Sequence, residues 1–128
     1  MFKLNHSLLR SFAAVGGLFL AVATVSGCST AGGSEGLNAE RAQQLLNDGA
    51  RIVDVRTPGE FGSGHLKNAV NIPVQVLQQN IAQLEPKDKP VVVYCRSGNR
   101  SGKAAAILKS AGFTNVINIR TMAGWPLR

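Results

Sequence analysis

The feature that most limits the fold is a regular alternation of strand and helix patterns over residues 37–119. The segment "KPVVVY", residues 89–94, is a continuous apolar run typical of a strand buried on both faces, and "RIVDV" and "NVINI" are further short strands. The segment "NAVNIP" alternates weakly and ends at Pro73, which predicts a strand at a sheet edge. This order predicts an α/β domain with a small parallel sheet flanked by helices on both faces.

Three segments between these strands have apolar residues at helical spacing. Residues 37–49 begin with the N-cap candidate Asn38 and end at Gly49, and residues 74–86 place apolar side chains on one face and end at proline. The third helix is predicted over residues 101–112. A chain of 128 residues is long enough for one ordinary domain, which we assign to residues 37–128.

The first 36 residues have a different character. Two basic residues and an uncharged apolar run are followed by "VSGC", which indicates a secretory signal peptide and resembles the bacterial lipobox. Residues 1–27 are therefore predicted to be a lipoprotein signal peptide, with a lipidated Cys28 and a flexible tether over residues 28–36. The alternative is an uncleaved membrane anchor, because residues 11–34 carry no charge and a span needs about 20 apolar residues. Gly27 and its small neighbours favour the lipoprotein.

This leader predicts a location on the periplasmic side of a bacterial membrane. Ser29, directly after the lipid-bearing cysteine, resembles outer-membrane sorting in Gram-negative bacteria and favours that membrane. The chain has 14 basic and 7 acidic side chains, and the excess is spread out rather than gathered in a run. The charge pattern therefore favours small anions or an anionic membrane surface and indicates no nucleic-acid partner.

Cysteine usage limits the chemistry. If Cys28 is lipidated, Cys95 is the only thiol of the mature chain, so an internal disulfide is excluded. That mature chain would contain one cysteine and one histidine, His65, which are too few for a closed zinc site with four protein ligands. Cys95 is therefore either a structural thiol or a reactive one, and no metal is expected.

The position of Cys95 favours reactivity. It follows a predicted strand, Asp54 and Arg56 follow another, and ligands of parallel sheets bind at this edge. The loop after Cys95 leads into a helix, whose N–H groups and dipole stabilise an anion, and Gly98 permits a tight turn. With nearby cations such as Arg100, these groups predict a thiolate nucleophile near neutral pH.

Two stretches carry a family resemblance. The segments "DVRTPGEFGSGHLKNAVNIP" and "VVVYCRSGNRSGKAAAILKSAGFTNV" resemble a single-domain rhodanese of the small secreted bacterial kind, a thiosulfate sulfurtransferase-like enzyme. The resemblance implies a rhodanese-like fold and a persulfide on Cys95. It also implies a loop that cradles the active sulfur, formed by Cys95, Arg96, Ser97, Gly98, Asn99 and Arg100. The chain departs from the family at "IRTMAGWPLR", which lacks the usual Gly-Gly turn and final helix.

The implied reaction moves a sulfane sulfur from thiosulfate or a similar anionic donor to cyanide or a thiol, without an organic cofactor. Arg96 is the best candidate to steer the donor, whereas Arg100 is expected to fix the loop by pairing with Asp54 or Glu60. The predicted loop-supporting residues are Asp54, Arg56, Glu60 and His65. A histidine base is unnecessary for a thiol that is already ionised, so His65 is expected to be structural.

Two other functions come from different classes. A cysteine-dependent phosphatase or arsenate reductase uses a similar thiolate, but such phosphatases resemble C-x5-R, whereas Cys95 to Arg100 is C-x4-R. The shorter loop predicts a pocket sized for one sulfur rather than for a phosphoryl group. A non-catalytic rhodanese-like binding module is the other alternative, and the presence of Cys95 argues against it.

Overall fold

A computed structural model describes residues 36–127. The predicted signal peptide, the lipidation site Cys28 and nearly all of the predicted tether lie outside the described residues. No helix within residues 36–127 is long and apolar enough to cross a membrane.

The described chain forms four strands and three α-helices around one parallel sheet. The strand order is β2-β1-β3-β4, and every pairing is parallel. This confirms the predicted α/β class. The elements in chain order are α1 (Ala39–Asn47), β1 (Arg51–Asp54), α2 (Pro58–Gly62), β2 (Ala69–Asn71), a 3-10 helix (Gln78–Leu84), β3 (Val91–Cys95), α3 (Asn99–Ser110), β4 (Val116–Thr121) and a second, short 3-10 helix (Met122–Gly124).

The strand register brings the polar residues predicted from the sequence together at the carboxyl ends of the two central strands. Asp54, the last residue of β1, pairs with Tyr94 of β3, and Cys95 is the next residue along β3. All five residues of β3 are buried, as its apolar run predicts, and β2 lies at the sheet edge as predicted. The carboxyl ends of the two central strands therefore meet where parallel sheets place their ligands.

Helices cover both faces of the sheet, as predicted. On one face, α3 and the 3-10 helix pack over the sheet, and this core includes Val53, Leu77, Leu84, Val93, Ala104 and Leu108. On the other face, α1 and the C-terminal segment pack over a core that includes Ala42, Leu45, Ile52, Val92, Tyr94 and Trp125. Cys95 belongs to the α3 face.

The predicted helix over residues 74–86 is wrong in type. The apolar face is as expected, since Leu77 and Leu84 are fully buried, but the helical part is a 3-10 helix over Gln78–Leu84. The N–H of Asn80 donates to the carbonyl of Leu77 at 3.0 Å, three residues back. Spacings of three and four residues occur in both helix types, so the apolar pattern alone could not separate them.

The α2 helix was not predicted from the sequence, although its signal is present. Thr57 and Glu60 form a capping box: the N–H of Glu60 donates to the Thr57 hydroxyl at 3.3 Å, and the N–H of Thr57 donates to the Glu60 carboxylate at 3.0 Å. Pro58 occupies the first turn, where a missing N–H costs nothing. This short helix fixes Glu60 near the carboxyl edge of the sheet.

Candidate active site

The Cys95 sulfur lies at the end of β3 inside a turn of backbone donors. The N–H of Gly98 donates to Sγ at 3.0 Å, and the N–H of Ser101 donates to it at 3.4 Å. The thiol also donates to the Ser101 hydroxyl at 3.5 Å. Cys95 is only 2% exposed, so the donors converge on a single, nearly enclosed atom.

These contacts favour the ionised form of the thiol. Burial raises the pKa of Cys95, but its hydrogen bonds with the Ser101 hydroxyl and with the N–H groups of Ser101, Ser97 and Gly98 outweigh it. The resulting pKa is about 7, below the ordinary value of 9.0. A large fraction of Cys95 is therefore a thiolate at neutral pH, and the thiolate is the nucleophilic form.

The turn depends on the backbone of Gly98. This residue is the N-cap of α3 and has φ 97°, a left-handed conformation that glycine adopts without strain. The turn brings the N–H of Gly98 and that of Ser101, in the first turn of α3, to the sulfur, where the positive end of the helix dipole also acts. Three further residues of the predicted cradle are exposed at the rim of the loop: Arg96, Ser97 and Asn99.

Arg100 pairs with Glu60 of α2. Its two terminal nitrogens donate to the two carboxylate oxygens at 2.6 and 2.8 Å. This pair holds the pKa of Glu60 well below its usual range and raises the pKa of Arg100. Of the two pairing partners expected from the sequence, the structure brings Glu60, and not Asp54, to Arg100.

Asp54 instead pairs with Arg56 beside β1. Arg56 Nε donates to the Asp54 carboxylate at 2.9 and 3.0 Å, and its Nη2 donates at 2.6 Å. The same Nη2 donates to the carbonyl of Gly64 at 2.7 Å, and the Asp54 hydrogen bonds raise the pKa of Arg56. The buried pair thus fixes the segment that carries α2, and it supports the cysteine loop through Glu60.

His65 lies three residues after α2 and packs against Phe61 of that helix. Its Nδ1 lies 2.9 Å from the carbonyl of Phe61, and its ring stacks on the Phe61 ring with centroids 3.7 Å apart. Both contacts fit the structural role expected from the sequence, since neither of them involves Cys95.

Two residues of this region were missed in the sequence analysis. The apolar pattern predicts only a helix at Ser101, although its N–H donates to the sulfur and its hydroxyl accepts from the thiol. Tyr94 was assigned only to a strand, yet its hydroxyl accepts from the N–H of Leu66 at 3.1 Å, and burial raises its pKa to about 12. A hydroxyl in the first turn after the loop was the available signal for Ser101. Nothing in an apolar run distinguished Tyr94.

The fold and the loop together define a class of protein: α/β domains that hold one activated cysteine between a central parallel strand and a helix. Within that class, the chain belongs to the rhodanese-like domain family, whose model matches residues 38–122.

Curated relatives are similar over most of the described domain. The chain is 37% identical over 86 residues to a sulfurtransferase of Allochromatium vinosum, which covers 66% of this chain and 79% of the relative. It is 40% identical over 80 residues to the thiosulfate sulfurtransferase GlpE of Pseudomonas syringae, which covers 62% of this chain and 74% of the relative. Among two further bacterial relatives, the match spans 56% and 64% of their length.

A solved structure agrees with this assignment. A rhodanese from E. coli, described with anions, superposes with a TM-score of 0.56 at 36% sequence identity. The match covers 59% of this chain and 89% of that structure.

Proposed function

We propose that this protein transfers a sulfane sulfur from thiosulfate, or a similar anionic donor, to a thiol or cyanide through a persulfide on Cys95. The observation that carries the proposal is the convergence of the Gly98 and Ser101 N–H groups on the Cys95 sulfur, at 3.0 and 3.4 Å. Relatives named as sulfurtransferases support the general reaction. The choice of donor and acceptor is part of the proposal.

The first half-reaction is a displacement at sulfur. The Cys95 thiolate attacks the outer sulfur of thiosulfate, the sulfur–sulfur bond of the donor breaks, and sulfite leaves with the electron pair. Cys95 then holds a persulfide anion. The Gly98 and Ser101 N–H groups donate to Sγ, so they stabilise the attacking thiolate, and they are already oriented before the reaction begins.

The second half-reaction restores the enzyme. Cyanide, or the thiolate of a physiological acceptor, attacks the outer sulfur of the persulfide, and the Cys95 thiolate leaves. Because the thiolate has a pKa of about 7, it is a good leaving group as well as a nucleophile. The same N–H groups therefore serve both half-reactions.

The experiment that tests this reaction is intact mass spectrometry of the purified protein before and after thiosulfate. The expected result is a gain of one sulfur atom on Cys95, which cyanide removes as thiocyanate. A Cys95→Ser variant should neither gain sulfur nor produce thiocyanate. Normal thiocyanate production by that variant would contradict the mechanism.

We also propose that the domain acts on the periplasmic side of a bacterial membrane, anchored by lipid on Cys28. The support is the sequence "VSGC" after a basic and then apolar leader. The short Gly/Ser-rich stretch before Leu37 would give roughly 15 Å of free play between lipid and domain. The anchor would keep the enzyme near anionic membrane surfaces.

A further inference from the structure

A β-bulge brings Arg120 of β4 beside the cysteine loop. Val93 pairs with Asn118, but the next residue, Tyr94, pairs with Arg120, so Ile119 is an extra residue in β4. Arg120 has φ 66°, and its N–H donates to the Asn118 side chain at 2.9 Å. A non-glycine residue keeps this left-handed conformation only where its surroundings hold it, and such residues cluster at functional sites.

The bulge places Arg120 against two groups that hold the sulfur. A Cβ atom built on Gly98 would lie 3.0 Å from Nε and 3.2 Å from Cβ of Arg120, so the arginine side chain lies directly over Gly98. The Arg120 carbonyl accepts from the Ser101 hydroxyl at 3.5 Å. Because the Gly98 nitrogen is 3.0 Å from Sγ, the Arg120 Nε lies within about 9 Å of the sulfur.

Arg120 is not part of either salt bridge at the site. Within residues 36–127, the salt bridges are those of Arg56 with Asp54 and of Arg100 with Glu60. Two of the arginines at this edge are thus neutralised by carboxylates, whereas Arg120 is exposed and belongs to neither pair. Its guanidinium has N–H groups that can donate to an anion other than the Cys95 thiolate.

We propose that Arg120 binds the anionic end of the sulfur donor while the outer sulfur of that donor meets Cys95. This inference rests on the proposed sulfurtransfer and identifies a specificity residue outside the loop of residues 95–100. A sulfonate or carboxylate presents oxygens that a planar guanidinium can bind with two hydrogen bonds. The site would favour small donors that carry a negative group next to the transferable sulfur.

The test compares two alkylating reagents of similar size, anionic iodoacetate and neutral iodoacetamide. The same Cys95 thiolate attacks the CH2 carbon of either reagent and displaces iodide, so the ratio of the two rates is insensitive to a change in the pKa of Cys95. Rates at Cys95 are read by mass spectrometry from the peptide that contains it, because the full chain has a second cysteine, Cys28. The variants are Arg120→Gly and Arg120→Gln, and the control is Arg41→Gln on α1, which covers the other face of the sheet.

Glycine adopts φ 66° without strain, so Arg120→Gly removes the side chain and keeps the bulge and its carbonyl. Arg120→Gln removes the charge and keeps most of the chain length. In both variants we expect the iodoacetate to iodoacetamide ratio to fall about five- to tenfold, because a charge-assisted contact is lost. The Arg41→Gln ratio should equal that of the wild type.

Steady-state kinetics provide the second measurement. Loss of Arg120 should raise KM for thiosulfate by a similar factor and leave kcat within about twofold, as expected for lost binding of the donor. An unchanged reagent ratio in both Arg120 variants, with normal thiocyanate production, would overturn this inference and leave the proposed function intact. A reduced ratio in a protein that forms no persulfide would support the anion site and overturn the proposed sulfurtransfer.

Discussion

The Arg100 guanidinium donates to both carboxylate oxygens of Glu60, at 2.6 and 2.8 Å, across 40 residues of sequence. Glu60 belongs to the capping box of α2, and Arg100 lies in the first turn of α3, two residues after Gly98. The pair thus connects the helix after β1 to the loop after β3. It fixes the start of α3, from which the sulfur receives its N–H donors.

Glu60→Gln should weaken this connection and slow persulfide formation. The variant leaves Arg100 without its charged partner, and the expected fall in the thiosulfate:cyanide rate is about tenfold, because small displacements of reacting groups have large effects. Stopped-flow or initial-rate assays measure it. Glu40→Gln, at an exposed position of α1, is the matched control.

Coupling between the two residues gives a stricter test. If Glu60 acts through Arg100, the double variant Glu60→Gln, Arg100→Gln should be no slower than Arg100→Gln alone. Strictly additive rate losses would show that the two side chains act independently.

Ser101→Ala should raise the pKa of the Cys95 thiol. The serine hydroxyl stabilises the thiolate, so its loss favours the protonated form. The pH dependence of iodoacetamide alkylation should have a midpoint near pH 7 in the wild type. We expect the midpoint of the variant to be higher by about half to one pH unit, because a neutral hydrogen bond is worth about 1 kcal/mol.

The sign of this effect is specific. Below its midpoint the thiol is protonated, so the variant should react more slowly than the wild type between about pH 6 and 8, and equally fast once both are fully ionised. Ser110→Ala, at the exposed end of α3, should leave the midpoint unchanged. A variant midpoint at or below that of the wild type would rule out the hydroxyl as a source of thiolate stability.

The sequence was sufficient to predict the parallel sheet and the location of Asp54 and Cys95 at the carboxyl ends of its central strands. The continuous apolar run of β3 and the proline after β2 separate a central strand from an edge strand, and burial and pairing agree with both. The two short patterns before Asp54 and Cys95 are enough to place these residues at one edge. Such predictions depend only on local periodicity and on the geometry of parallel strands.

Contacts between distant segments could not be predicted in the same way. The sequence allowed Arg100 to pair with either Asp54 or Glu60, and the choice is decided by Arg56, which occupies the Asp54 carboxylate. The bulge that brings Arg120 over Gly98 has no pattern of its own in "VINIRT". Both features depend on the register of strands far apart in the chain, and periodicity carries no information about that.

Trp125→Ala should destabilise the domain strongly. Trp125 is 3% exposed and packs in the core on the α1 face. Truncation of a buried tryptophan typically lowers the free energy of unfolding by about 3–5 kcal/mol. Urea denaturation measures the change, and Val76→Ala, at an exposed valine, should shift the midpoint little.

Cys28→Ala should prevent lipidation of the full chain. Without the cysteine, the proposed lipobox lacks its modified residue, so the protein should remain an unprocessed precursor without acyl mass. A single acyl chain gives only marginal membrane binding, so firm retention in the membrane fraction requires the several chains of a bacterial lipoprotein. A mature wild-type protein that begins at another residue and carries no lipid would contradict the anchor.

The length of the cysteine loop should determine whether the Cys95 thiolate attacks sulfur, phosphorus or arsenic. A thiolate activated by N–H donors can react with sulfur, phosphorus or arsenic, so activation alone does not select the reaction. Gly98 and Ser101 place their N–H groups 3.0 and 3.4 Å from one sulfur atom that is almost enclosed. A phosphoryl group would need donors arranged around three oxygens, whereas thiosulfate needs only its outer sulfur to enter.

We therefore expect measurable thiosulfate:cyanide sulfurtransfer and negligible hydrolysis of an aryl phosphate at the same enzyme concentration. One glycine inserted between Gly98 and Asn99 should widen the turn and displace the Gly98 N–H from the sulfur. This change should reduce sulfurtransfer, raise the thiol midpoint in the alkylation assay, and leave aryl phosphate hydrolysis low or slightly increased. Because the midpoint reports the cradle directly, it separates a widened loop from a general loss of structure, which circular dichroism would detect. Hydrolysis of the aryl phosphate by the wild type at a rate comparable to sulfurtransfer would show that loop length does not set the selectivity, and the phosphatase alternative would replace the proposed function.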